Sequence, residues 1–332
     1  MISEPEEIVM TQKKIFSTIG WAYFWLATLA LGIGYILVFV LAAAAPRIYY
    51  LSLMNWIISL GPMYLIGMPV CAKVMKRLPK RELFRKSMTV GRWCTVFCIC
   101  ICVMYAGNII GNVVTTILSD ATSLNMEFDL ENLMLTDRPL YVFLFSVILA
   151  PILEELFFRK ILIDRAIVFG DKTAVILSGL IFGLFHGNLY QVFYAFGVGC
   201  VLAYVYIRTG NIKYTISLHM AVNFFGGFLS SLITRNLDLA SLLSDSLNNA
   251  NALTAYIIGH LGSLAAYGLY IICVLALGII GLVKLLTSIK HLHFNPGEYS
   301  APSQKMAGHL FKNVGMWMFF GICILEFVLS MI

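Results

Sequence analysis

Nine times along this chain an apolar run approaches the roughly 20 residues that a helix needs to cross a bilayer. The runs are 19–45, 51–72, 93–118, 139–163, 173–190, 191–207, 214–234, 255–283 and 313–331. In hydrocarbon every backbone N–H and C=O must be satisfied within the chain, so such runs fold as helices packed on one another. The spacing predicts an all-α, polytopic transmembrane helix bundle. The count is eight or nine spans, because the fifth and sixth runs are short and meet at Gly187-Asn188 as a tight hairpin. Composition agrees: 60% of residues are hydrophobic and 12% charged, and a soluble domain carries about twice that charge. Met1 to Ser17 is polar and acidic, with Glu4, Glu6 and Glu7; no secretory signal is read there, so the first run stays as an anchor. No segment outside the runs is long enough to fold alone, and no internal repeat is evident.

The loops differ sharply in charge. Lys73 to Arg92 carries Lys73, Lys76, Arg77, Lys80, Arg81, Arg85, Lys86 and Arg92, whereas Ser119 to Arg138 carries Asp120, Glu127, Asp129, Glu131 and Asp137. Lysine and arginine favour the cytoplasmic side. The first loop is therefore read as inside and the second as outside, and alternation puts 159–172, 208–213 and 284–312 inside and 236–252 outside. The N-terminus is then cytoplasmic, and Val74–Lys86 is read as an amphipathic piece on the inner membrane surface. The net charge of +6 is accounted for by these boundary clusters and calls for no nucleic acid. The chain divides into N-terminal helices (1–138, with the basic loop 73–92), a core (139–234) and C-terminal helices (235–332).

Inside the fourth run stand Glu154 and Glu155, followed by Arg159. Charge at membrane depth is costly and is kept where it has partners or a task. The two glutamates point about 100° apart on a helix. Glu155 has Arg159 at i+4, the ion-pair spacing, so Glu154 is the freer one to face a cavity. If runs four and five turn near Gly170-Asp171, Glu154 lies 16 residues before Gly170 and His186 16 after it, both about 24 Å from the turn. His219 and Asn223 are four apart and share a face of the seventh span; alone, that pair reads equally well as a polar clasp between helices. A carboxylate and an imidazole around one water suit general-base hydrolysis, and a second histidine with an amide suits an oxyanion. The same residues suit a zinc ion held by Glu154, His186 and His219, although no His-Glu-x-x-His is present.

Glu154-Glu155-x-x-x-Arg159, Phe182-x-x-x-His186 and His219-x-x-x-Asn223, in this order, resemble the CPBP intramembrane proteases. This is the CAAX-protease and bacteriocin-processing, or Abi, family, which includes the type II CAAX prenyl endopeptidases. The resemblance covers about 139–234 and implies a conical catalytic cavity open to the cytoplasmic side and hydrolysis of a peptide bond in a membrane-associated substrate. It implies that Glu154 and His186 activate water, that Glu155, His219 and Asn223 complete the site and stabilise the oxyanion, and that Arg159 and Phe182 are supports. Glutamate-type and zinc-dependent metalloprotease mechanisms both remain open, the metal-free one being preferred. The expected partners are the bilayer and a membrane-anchored or peptide substrate: a peptide pheromone, a bacteriocin precursor or a prenylated-type C-terminus. The expected location is the plasma membrane, of bacterial cytoplasmic type. The alternative is a transporter, immunity protein or scaffold whose Glu/His/Arg network does no chemistry.

Other polar residues read more plainly. Cys94, Cys98 and Cys102 repeat at helical spacing and, with the other five cysteines, act as small hydrophobes. Asn108 and Asn112 share a face as a packing clasp. Glu326 is a lone acid in the last run, His260 is interfacial, and His291, His293 and His309 sit in an inner loop. Ser178, Ser217 and Ser230 lack the Gly-x-Ser-x-Gly turn of a serine nucleophile.

Overall fold

The computed structural model describes residues 4–122, 135–235, 237, 250–299 and 308–330, with side chains from residue 12 except at 250 and 252. Among them there are helices and no strand. We number the main helices α1 (Glu4–Ala44), α2 (Ser52–Met75), α3 (Val90–Thr122), α4 (Pro139–Phe169), α5 (Asp171–Leu184), α6 (Leu189–Thr209), α7 (Ile212–Thr234), α8 (Leu261–His291) and α9 (Val314–Leu329). Seven are long and apolar enough to cross a membrane; α5 and α9 are shorter. The 14 residues of α5 reach only about 21 Å, short of the roughly 30 Å of a hydrocarbon core, and the chain turns back there into α6. Glu127, Asp129 and Glu131 of the acidic loop, and most of 236–252, lie outside the described residues.

Proline and glycine set the local geometry. Pro139 opens α4, where its missing N–H costs nothing. Pro151 lies further in and would clash with the carbonyl four residues before it. The turn ahead of it, Phe143–Leu149, is widened into π-helix, which absorbs such a conflict. Three more wide turns occur, at Pro62–Gly67 in α2, Leu156–Ile161 in α4 and Phe224–Leu229 in α7. Gly170 joins α4 to α5 at φ 94°, a conformation closed to most side chains.

Two glycine pairs bring α6 to the centre. Gly107 and Gly111 of α3 lie so near Tyr190–Tyr194 that a Cβ on Gly107 would stand 2.5 Å from Tyr194 Cα. Gly179 and Gly183 of α5 do the same against Val192, Phe196 and Cys200. This is small-residue packing at i, i+4, which lets membrane helices approach closely. Around α4–α7, α1 packs on α2 and α9, while α8 lies against α3. The largest core joins α1, α2, α4, α5 and α9 through Phe16, Tyr23, Met68, Phe158, Ile181 and Phe319. Within it the Tyr23 hydroxyl donates to the Phe157 carbonyl at 2.9 Å.

The segment 79–89 has no regular secondary structure and crosses the ends of the core helices. Arg81 N donates to Asp164 O and Lys86 N to Thr209 O, both at 2.7 Å. The stretch after α8 joins the same end, with Asp171 N bonded to Asn295 O and Tyr299 N to Val168 O. The basic segments thus gather at one end of the bundle.

Candidate active site

Glu154 and Glu155 sit mid-way along α4, just ahead of its second wide turn, and they go different ways. Glu155 is fully buried. Its Oε2 meets Arg159 Nε at 3.1 Å, both side chains having no exposure, and its Oε1 meets His219 Nδ1 at 3.0 Å. The i, i+4 ion pair is formed. Arg159 also donates from Nη1 to Ser178 Oγ at 3.2 Å, and Ser178 Oγ donates in turn to Phe158 O at 2.7 Å. Arg159 Nη2 has no hydrogen-bond partner, but the guanidinium lies 4.6 Å from the Phe182 ring centroid, where the ring face attracts cations. Ser178 therefore holds the arginine.

Glu154 faces a cavity of about 530 Å³ that His186, His219, Asn223 and Phe182 also line. One oxygen stands 3.8 Å from His219 Nε2. The other is 3.5 Å from the Tyr64 hydroxyl, at the outer limit for a hydrogen bond. Tyr64 comes from the wide turn of α2, and nothing in its sequence surroundings pointed to it. It lies 90 residues from Glu154, and only tertiary packing brings the two together.

His186 lies just past the end of α5, in the turn to α6. Its Nδ1 is 2.7 Å from the Phe182 carbonyl. A carbonyl only accepts, so Nδ1 carries the proton and a neutral ring keeps a lone pair on Nε2. Asn188 fastens the turn: its Oδ1 accepts from Gln191 N and its Nδ2 donates to His186 O. Gly187 adopts φ 66°, which spares the turn a strained side chain. The edge of Phe182 meets both histidines, 4.8 Å from His186 and 5.6 Å from His219 between centroids.

On α7, His219 is buried and Asn223 donates from Nδ2 to Ser146 O of α4 at 2.9 Å. The pair forms a clasp between α7 and α4 and also faces the cavity. A carboxylate beside His219 Nδ1 likewise fixes a proton there.

Glu154, His186 and His219 line one cavity, yet among the described residues no three His, Cys, Asp or Glu side chains are grouped to hold a metal ion. That applies equally to Cys94, Cys98 and Cys102. Glu326 comes closer to the site than its isolation in sequence suggested. A side-chain carbon at Gly187 would stand 3.3 Å from Glu326 Oε2, so α9 delivers a carboxylate to the turn that carries His186. Asn108 and Asn112 bond to each other at 2.9 Å and line the cavity instead of clasping a neighbouring helix. Ser217 accepts from Trp93 Nε1 at 2.9 Å, and His260 stacks on Tyr256 at 4.2 Å; neither lines the cavity.

The cavity lies toward the end of the bundle opposite the basic segments.

Comparison with known proteins places the domain. The family described as type II CAAX prenyl endopeptidase Rce1-like matches residues 136–225. The membrane-embedded CAAX protease MroQ of Staphylococcus aureus (strain USA300) is 32% identical over 105 residues, 29% of this chain and 42% of that protein. The putative membrane peptidase YdiL of Bacillus subtilis (strain 168) is 34% identical over 91 residues, 26% of this chain and 36% of that protein. The chain thus covers less than half the length of these relatives. No solved structure matches.

Proposed function

Residues 136–225 of this chain belong to the Rce1-like family of CAAX proteases, within the CPBP group, and from that premise we propose that the protein is an intramembrane endopeptidase. The observation that carries this reading is the convergence of Glu154, His186, His219 and Asn223, from α4, the α5–α6 turn and α7, on one cavity inside the matched region.

A water held between the Glu154 carboxylate and the unprotonated Nε2 of His186 gives up a proton to Glu154 as its oxygen attacks the scissile carbonyl. A C–O bond forms, and the carbonyl oxygen takes the negative charge. His219 and Asn223 stand near enough to donate to that oxygen. Asn223 has two amide hydrogens and Ser146 takes one. For His219 to donate as well, Nε2 must carry a proton in addition to the one that Nδ1 shares with Glu155. Collapse of the intermediate breaks the C–N bond, and the proton on Glu154 passes to the leaving amine. Preorganised donors of this kind commonly contribute more to such catalysis than any other single effect. Because no three-donor metal group is assembled among the described residues, no step is routed through zinc.

The substrate we propose is a membrane-anchored protein or peptide precursor, such as a peptide pheromone, a bacteriocin precursor or a prenylated-type C-terminus, in a bacterial cytoplasmic membrane. The basic segments and the N-terminus face the cytoplasm. The test is cleavage of a fluorogenic peptide pool by purified protein, with Glu154→Gln and His186→Ala alongside. The reading expects both variants, folded as the wild type, to lose activity by about 10²–10⁴-fold, the usual worth of a general base. Wild-type cleavage is expected to survive a chelator. Undiminished cleavage by both variants would sink the assignment. Solute flux in liposomes that disappears in Glu154→Gln would favour a transporter.

A further inference from the structure

We propose that Tyr64 of α2 positions Glu154, its hydroxyl donating to one carboxylate oxygen so that the other stays turned to the cavity. The role rests on the protease reading above; the hydrogen bond itself does not. The two glutamates of α4 are held very differently. Glu155 is fixed by Arg159 at 3.1 Å and by His219 Nδ1 at 3.0 Å. Glu154 has no such clamp. Its Oε2 faces His219 Nε2 at 3.8 Å, beyond hydrogen-bond reach. Its Oε1 faces the Tyr64 hydroxyl at 3.5 Å, and among the described residues no other hydrogen bond reaches this side chain.

The last torsion of a glutamate is broad and roughly two-fold, so a carboxylate without a fixed partner swings. A general base needs one oxygen aimed at the water it deprotonates. A donor on Oε1 sets that torsion and leaves Oε2 free on the side of His219. Catalytic hydrogen bonds are often long in the resting enzyme and tighten once substrate is bound, and the 3.5 Å contact is open to such tightening. In this role the hydroxyl keeps its proton throughout and acts only through Glu154, which makes Tyr64 a positioning residue.

The chain builds firm support around Tyr64. The residue lies in the wide turn Pro62–Gly67, and turns of that kind are frequent at functional sites. α4 has a wide turn of its own directly after Glu155. Ahead of Tyr64, Trp56 Nε1 donates to Asp137 Oδ2 and its ring stacks on Phe145 of α4. Beyond Tyr64, a Cβ on Gly67 would stand 2.8 Å from Leu26 O of α1, and Met68 is buried in the largest core. α2 is thus tied to α4 on one side of the tyrosine and to α1 on the other, which pre-aligns the hydroxyl. Leu65 and Ile66 face outward, 78% and 40% exposed, whereas Tyr64 turns inward onto the one glutamate that no arginine holds.

The experiment compares purified full-length wild type with Tyr64→Phe, Glu154→Gln and the double variant. Infrared spectra identify the Glu154 carboxyl bands as those lost in Glu154→Gln. Values of kcat and KM are measured on one peptide cleaved from the fluorogenic pool. We expect Tyr64→Phe to shift those bands. It should lower kcat by about 10–100-fold, the usual worth of a hydrogen bond to a charged group, with KM and the thermal midpoint unchanged. Added to Glu154→Gln, the same substitution should cost little further, because the carboxylate it positions is gone. If Tyr64→Phe misfolds, 3,5-difluorotyrosine at position 64, close in shape and a stronger donor, must shift the bands and change kcat in its place. Bands that do not move would overturn the hydrogen bond. Bands that move with kcat unchanged, a change confined to KM, or an equal loss in the Glu154→Gln background would overturn the positioning role. If wild type cleaves no peptide, the protease reading and the role fall together, and the bands still decide whether the bond exists.

Discussion

At the scale of residues, Arg159 shows how a charged group survives at membrane depth. It has no solvent, and its stabilisation comes from Glu155 at 3.1 Å, the Ser178 hydroxyl and the face of Phe182. Removing one member of a buried ion pair strands the other, typically at about 3–5 kcal/mol, whereas an apolar pair of similar size is often tolerated. Arg159→Met should therefore lower the thermal midpoint in detergent strongly, and Arg159→Met with Glu155→Leu should recover part of the loss. A double variant no more stable than the single one would show that Arg159 owes its place to something other than Glu155. Glu326 invites a different test. Its carboxylate abuts Gly187, next to His186, which makes it a positioning residue for that turn. Glu326→Leu should lower kcat several-fold with KM little changed, and Glu326→Gln, which keeps the shape, should restore most of it. Equal effects of the two substitutions, or a change confined to KM, would rule that role out.

At the scale of elements, the glycines that let helices touch decide whether α9 and α6 hold their positions. A Cβ on Gly315 would stand 2.0 Å from Ser17 O, so the α1–α9 crossing admits no side chain there. Overpacking typically costs about 1–3 kcal/mol. Gly315→Val should lower the thermal midpoint and also the rate, by moving α9 and the carboxylate it brings to Gly187. If stability falls and the rate per folded molecule does not, α9 is only a support. The same contrast marks what the sequence makes legible. Apolar runs show the helices directly, and the i, i+4 spacing shows Glu155 with Arg159, because both are local patterns. The Gly170 hairpin placed Glu154 and His186 on one cavity by simple counting along two helices. Other features are not local. Tyr64 reaches Glu154 across 90 positions and His219 reaches Glu155 across 64. The wide turns around the site appear only as a shifted hydrogen-bond register. Gly107 and Gly111 declare their part only once α6 is seen against them, as does Glu326 once α9 is placed.

At the scale of the whole molecule, charge and depth together set where a substrate can be cut. The basic end fixes one membrane boundary close to the Gly170 turn, since Arg208 pairs there with Asp171 at 3.2 Å and the basic segment 79–89 is bonded nearby to Asp164 and Thr209. Glu154, 16 residues along α4 from Gly170, stands about 24 Å from that boundary. A hydrocarbon core is about 30 Å thick, so the Glu154 carboxylate is left about 6 Å inside the other boundary. An extended peptide advances about 3.3 Å per residue, so Glu154 lies about two residues below the boundary opposite the basic end. A substrate anchored by a single span, with one cleavable sequence moved residue by residue along it, should be cut best when the scissile bond lies within about two or three residues of one end of the span, the end level with Glu154. Cleavage should fall away as the bond moves toward the bilayer centre, where Phe158 and Arg159 close the cavity floor. Mass spectrometry of the products locates the cut. A maximum at the middle of the span would contradict that depth, and cleavage indifferent to position would mean that the cavity does not measure depth. The geometry favours a sharp optimum, because the closed floor leaves the chain a fixed distance to travel.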